Sequence, residues 1–151
     1  MKRISALLVI TAFIGLFTAS FVFAHCEIPC GIYDDKARIT LMNEHITTIE
    51  KSMKQITERS RQTPIKYNQL VRWISNKENH ANELQHIVTQ YFMTQRIKFN
   101  TKDYEKKLIL LHKILVHAMK AKQTTDLEHI ATLKMLVMDF ESLYFGQSHK
   151  N

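Results

Sequence analysis

From Asp34 to the C-terminus the chain holds one glycine, Gly146, and one proline, Pro64. Sheets of short strands need turn residues every few positions, so a stretch this poor in them is built from helices. The apolar spacing agrees. Ile39, Met42, Ile46, Ile49, Met53 and Ile56 fall three or four residues apart and predict one buried stripe on a helix over 35–59, with Asp34 and Asp35 serving its first turn. Pro64 in "SRQTPIK" breaks the chain. A second helix is predicted over 65–97, with Tyr67, Leu70, Val71, Ile74, Ala81, Leu84, Val88 and Tyr91 on one face. "NKENH", residues 76–80, interrupts that stripe; Lys77 is expected either to snorkel to water or to belong to a polar layer beneath a site. A third helix fits 103–122, with Leu108, Leu111, Leu115 and Met119 in its stripe. "QTTD" then offers a fresh cap at Thr125 or Asp126, and Leu127, Ile130, Leu133, Val137, Phe140 and Tyr144 lead to a stop at Gly146. Four amphipathic helices with short connections predict an all-α, up-down-up-down four-helix bundle over 34–146, followed by a tail at 147–151.

The first 24 residues read differently. Lys2 and Arg3 precede an uncharged run from Ile4 to Phe23, which closes on Val22-Phe23-Ala24 with small side chains where signal peptidase prefers them. Residues 1–24 are therefore expected to be a cleaved signal peptide, with an uncut membrane anchor as the alternative for an apolar run of this length. The chain is then exported to the periplasm or outside the cell and keeps no stable membrane partner, and the peptidase is a processing partner. The rest is enough for one domain. The formal net charge of the whole chain is +7, but Lys and Arg are interleaved with acids and form no aromatic-rich basic cluster. That pattern excludes nucleic acid as the expected partner and favours steering of a small anion.

Several familiar chemistries are missing. There is no glycine-rich phosphate loop and no G-x-S-x-G elbow. A ferritin-like di-metal core needs two E-x-x-H pairs, and this chain has the single Glu83–His86. The chemistry collects instead in "FAHCEIPCGIY", residues 23–33, which holds both cysteines. Cleavage before His25 would leave a free α-amine and an imidazole on His25, an amide nitrogen and a thiolate on Cys26, and a second thiolate on Cys30. Two nitrogens and two sulfurs can then surround one metal, with the imidazole left over as an axial donor. Planar nitrogen and sulfur donors suit nickel(II) or copper(II), whereas zinc prefers a tetrahedron. Pro29 lies in the loop that curls Cys30 back, Gly31 permits a backbone other residues resist, and Tyr33 can place its phenol over an open face. A non-catalytic nickel- or copper-binding protein would use the same donors. An exported structural bundle would simply oxidise Cys26 and Cys30 to a disulfide, which closes too small a loop to contribute much stability.

The segment His25-Cys26-Glu27-Ile28-Pro29-Cys30-Gly31-Ile32-Tyr33 resembles the N-terminal nickel hook of nickel superoxide dismutases, H-C-x-x-P-C-G-x-Y. The resemblance extends through "YDDKAR", "QYF" and "YFG" over the chain beyond residue 24. It implies an oxidoreductase that converts superoxide to dioxygen and hydrogen peroxide by nickel(III)/nickel(II) cycling, as a homohexamer of four-helix bundles with one nickel ion per chain. By that resemblance His25, Cys26 and Cys30 are the metal ligands and Tyr33 is the catalytic tyrosine near the open coordination position. It also implies support of the axial imidazole by an acid on the first helix and an arginine on the second. Thr40 stands where the acid is expected, leaving Glu44, Glu78 or His80 as candidates for that task.

Overall fold

The computed structural model describes residues 31–146, so the expected signal peptide, the donors His25, Cys26 and Cys30, and the C-terminal tail lie outside the described residues. Four helices follow: α1 (Asp35–Arg59), α2 (Tyr67–His86), α3 (Tyr104–Gln123) and α4 (Glu128–Phe145). Each packs on the next in the chain, and α4 closes back on α1, so the bundle is up-down-up-down and all-α as the periodicity requires. No described helix is long and apolar enough to cross a membrane.

The first helix forms where its spacing puts it. Asp34 accepts a hydrogen bond from the Ala37 amide at 2.9 Å and caps α1, and Ile39, Met42, Ile46, Ile49 and Met53 are buried along its inner face. On α4, Ile130, Leu133, Leu136, Val137 and Phe140 fill the core, and Gly146 ends the helix at φ 72°, a left-handed cap that glycine takes without strain. The cap at its other end differs from expectation. Leu127 occupies the cap position, while Asp126 accepts from the Glu128 amide at 2.9 Å and Thr124 from the Asp126 amide at 3.0 Å.

Two stripes hold only in part. On α2 the early members of the predicted stripe, Tyr67, Val71 and Ile74, are exposed, whereas its later members Ala81 and Leu84, with Val88 and Tyr91 beyond them, are buried in one row with Lys77. On α3, Leu111, Ile114, Ala118 and Ala121 are buried, whereas Leu108 and Leu115 are partly covered and Met119 is exposed. In "LILLHKILVHAM" apolar residues fall on nearly every face, so period alone does not choose the inner one.

Lys77 explains the interrupted stripe on α2. It is 5% exposed and does not snorkel: its ammonium donates to the carbonyls of Lys122 and of Thr124, the latter at 3.1 Å, with Glu78 at 3.7 Å. A helix C-terminus leaves its last carbonyls without partners and carries partial negative charge, so the lysine satisfies both demands of α3 from the neighbouring helix. Burial lowers the Lys77 pKa, and Glu78 opposes that shift. Lys77→Met keeps the stem and removes the donors. It is expected to destabilise the bundle by about 1–3 kcal/mol, the cost of leaving buried acceptors unpaired. A urea denaturation midpoint checks this, and an unchanged midpoint would contradict the cap.

Candidate functional site

Beyond His86 the second helix widens into a π-helical segment, Ile87–Arg96. Its turns run to the fifth residue: the Ile97 amide donates to the Phe92 carbonyl at 2.8 Å, the Thr94 hydroxyl to the Thr89 carbonyl at 2.7 Å, and the Gln95 amide group to the Gln90 carbonyl at 2.9 Å. Residues five apart in an α-helix point about 140° away from one another. The wider turn reduces that divergence and brings Tyr91 and Arg96 to one side. Sequence propensity carries no signature of this widening.

Both side chains reach Asp35, in the first turn of α1. The Arg96 guanidinium grips the carboxylate with two bonds, Nε to Oδ1 at 2.8 Å and Nη2 to Oδ2 at 2.7 Å. Tyr91 donates its hydroxyl to Oδ1 at 2.6 Å, and Tyr144, from the last turn of α4, donates to Oδ2 at 2.7 Å. One carboxylate thus accepts four hydrogen bonds from the ends of two other helical elements. Antiparallel topology makes this possible, since the second and fourth helical rods finish where the first begins.

Aromatic contacts surround the cluster. Tyr33 lies against the Arg96 guanidinium, 4.5 Å from ring centroid to Cζ, and meets Tyr91 edge-on at 5.8 Å. Arg38 covers the Tyr91 ring at 5.0 Å, and Lys107 the Tyr144 ring at 5.4 Å. Phe92 packs edge-on against both Phe140 and Tyr144 and joins the cluster to the core. Just before Tyr33, Gly31 adopts φ 78°, the left-handed conformation its place in the sequence suggested.

The electrostatics follow from this packing. Burial alone would raise the Asp35 pKa, but hydrogen bonds from Arg96, Tyr91 and Tyr144, with the Arg96 charge, outweigh it and hold the carboxyl below its ordinary value. Burial and the bond to Asp35 raise the Tyr91 pKa, and the same causes push Tyr144 up to about 12. Both phenols therefore stay protonated at neutral pH as donors to Asp35.

The other sequence candidates are engaged elsewhere. The Thr40 hydroxyl donates to the Lys36 carbonyl at 3.1 Å, and Glu78 faces Lys77 and Lys122. His80 Nδ1 lies 2.9 Å from His45 Nδ1, sharing a hydrogen bond between α1 and α2; burial, then the neighbouring His80, lowers the His45 pKa. Among the described residues no group of three or more His, Cys, Asp or Glu side chains is placed to hold a metal. "YDDKAR", "QYF" and "YFG" do come together, since Asp35, Tyr91 and Tyr144 belong to them. Arg96 was missed, because its link to Asp35 depends on the widened helix.

The sequence profile of nickel-containing superoxide dismutases matches residues 20–148. The chain belongs to that family. It is accordingly an oxidoreductase of the nickel superoxide dismutase type, nickel-containing and acting on superoxide. No curated protein and no solved structure matches it.

In this dismutase Asp35 ties three helical elements at one end of the bundle. Because its folded pKa is depressed, its stabilisation is fully present above the ordinary carboxylate value of 3.8 and is lost as pH falls through the lower folded value. Asp35→Asn is expected to cost about 2–3 kcal/mol at neutral pH, the scale of lost charge-assisted bonds. It should also flatten the acid limb of the stability curve. Thermal melts between pH 7 and pH 3 check both, and parallel acid limbs for the two proteins would contradict the assignment.

Proposed function

We propose that the protein is exported, that residues 1–24 are removed, and that the hook beginning at His25 binds one nickel ion per chain. The donors suit that metal. His25 offers its amine and imidazole, Cys26 its amide nitrogen and thiolate, and Cys30 a second thiolate; nitrogen and sulfur donors of this kind match nickel, whereas the described helices gather no comparable set. The observation that carries the reading is that the six fixed hook residues all lie inside the stretch that matches the family. When bound, nickel supplies a one-electron nickel(III)/nickel(II) couple able to oxidise one superoxide to dioxygen and reduce another to hydrogen peroxide.

The chain's own residues do the remaining work. Cys26 and Cys30 must be deprotonated to serve as ligands, and their two negative charges favour the more oxidised metal. The imidazole of His25 adds a fifth donor. Tyr33, three residues after Cys30, holds a phenol near the position left for the small anion and helps bring the two protons that peroxide formation consumes. Net positive charge speeds arrival of that anion, an effect that weakens as salt rises. Assembly as a homohexamer belongs to the same reading.

The test compares the chain cut before His25 with the uncut chain, after loading with nickel. The cut protein is expected to hold one nickel per chain and to dismutate superoxide rapidly, and Cys26→Ser or Cys30→Ser should abolish both. The uncut chain should be inactive, because the amide joining Ala24 to His25 replaces the amine donor. Equal activity of cut and uncut chains would overturn the amine-ligand assignment, nickel binding without superoxide decay would make the protein a carrier, and a Cys26–Cys30 disulfide without nickel binding would make it a structural bundle.

A further inference from the structure

We infer that Asp35 and Arg96 are positioning residues for Tyr33: the carboxylate fixes the guanidinium, and the guanidinium face seats the phenol ring. This rests on the reading that Tyr33 serves the hook. The geometry is that of a braced platform. A guanidinium has a planar fork and two broad faces. At Arg96 the fork is spent on Asp35 through two bonds at 2.8 and 2.7 Å, which leaves a face to meet Tyr33 at 4.5 Å. Asp35 in turn cannot swing, because Tyr91 and Tyr144 hold its two oxygens from separate elements. Tyr91 also touches the Tyr33 ring edge, so two members of the cluster set that ring's position.

The three tyrosines divide the labour. Tyr91 and Tyr144 commit their hydroxyls to Asp35, whereas Tyr33 joins through its ring, which leaves the orientation of its hydroxyl to the platform beneath it. Tyr33 is itself 39% exposed, so the core does not fix it; the contacts with Arg96 and Tyr91 do. Lysine at position 96 would keep the charge but lose both the fork and the flat face. An arginine in this place therefore has a task that charge alone does not fill.

The experiment uses purified exported protein and the variants Arg96→Lys, Tyr33→Phe and their double mutant. Asp35→Asn loosens the platform by a second route, in case Arg96→Lys folds poorly. Tyrosine ring signals are followed by NMR with carbon-13 label, and superoxide decay and nickel content are measured on the same samples. Arg96→Lys is expected to move the Tyr33 signals, to leave nickel at one per chain and to slow superoxide decay about 10-fold, within the coupling range of residues in contact. In the Tyr33→Phe background the same change should cost much less. Lys77→Met, which weakens the bundle elsewhere, should lower the melting temperature and leave the Tyr33 signals in place. Unmoved Tyr33 signals in both Arg96→Lys and Asp35→Asn, or fully additive losses in the double mutant, would overturn the inference. Wild-type protein with neither nickel nor turnover would instead overturn the hook reading, and the ring signals would still decide whether Arg96 seats Tyr33.

Discussion

The end of the bundle that carries Tyr33 depends on one carboxylate. Asp35 sits in the first turn of α1, where helix amides already favour negative charge, and gathers Arg96, Tyr91 and Tyr144 from elements remote in sequence. Burying a carboxylate is costly, and the cost is offset here because four donors meet its charge, two of them from the cationic Arg96 guanidinium. The π-helical segment is part of the same solution. Without its wider turn, Tyr91 and Arg96 would diverge, and one of the two could not reach the carboxylate.

How far the sequence discloses this differs from place to place. Helix α1 follows from spacing because its apolar residues keep one register and its flanks are polar, so a single face qualifies. The α2 stripe holds from Ala81 onward and fails over its first turns, and its inward lysine looks like an interruption. Only the nearby end of α3, with carbonyls that need a donor, gives Lys77 a reason to be buried, and that end is more than forty residues away in the chain. On α3 the abundance of apolar residues removes the contrast from which a face is read. The cluster around Asp35 was half legible. The stretches "YDDKAR", "QYF" and "YFG" stood out by resemblance, yet nothing in them says that they meet, and Arg96 needs the helix to widen before it can join.

Two tasks are separated along the chain. In the proposed reading the hook supplies every metal donor within six residues, which makes metal binding a local property of the sequence. The bundle supplies what a short peptide cannot, a fixed seat for an aromatic ring. Tyr33, the last residue of the hook motif, is packed on the bundle through Arg96 and Tyr91. Among the described residues Glu78 and His80 link α2 to α3 and to α1, while the imidazole they were offered to support lies outside the described residues.

X-ray absorption at the nickel edge of the protein cut before His25 tests the central claim most directly, because it reports the atoms bound to the metal regardless of turnover. Two sulfur scatterers per nickel, with the remainder nitrogen, are expected, and both sulfurs should disappear when Cys26 and Cys30 are replaced by serine. A nickel surrounded only by nitrogen and oxygen would place the metal elsewhere and contradict the hook as its site.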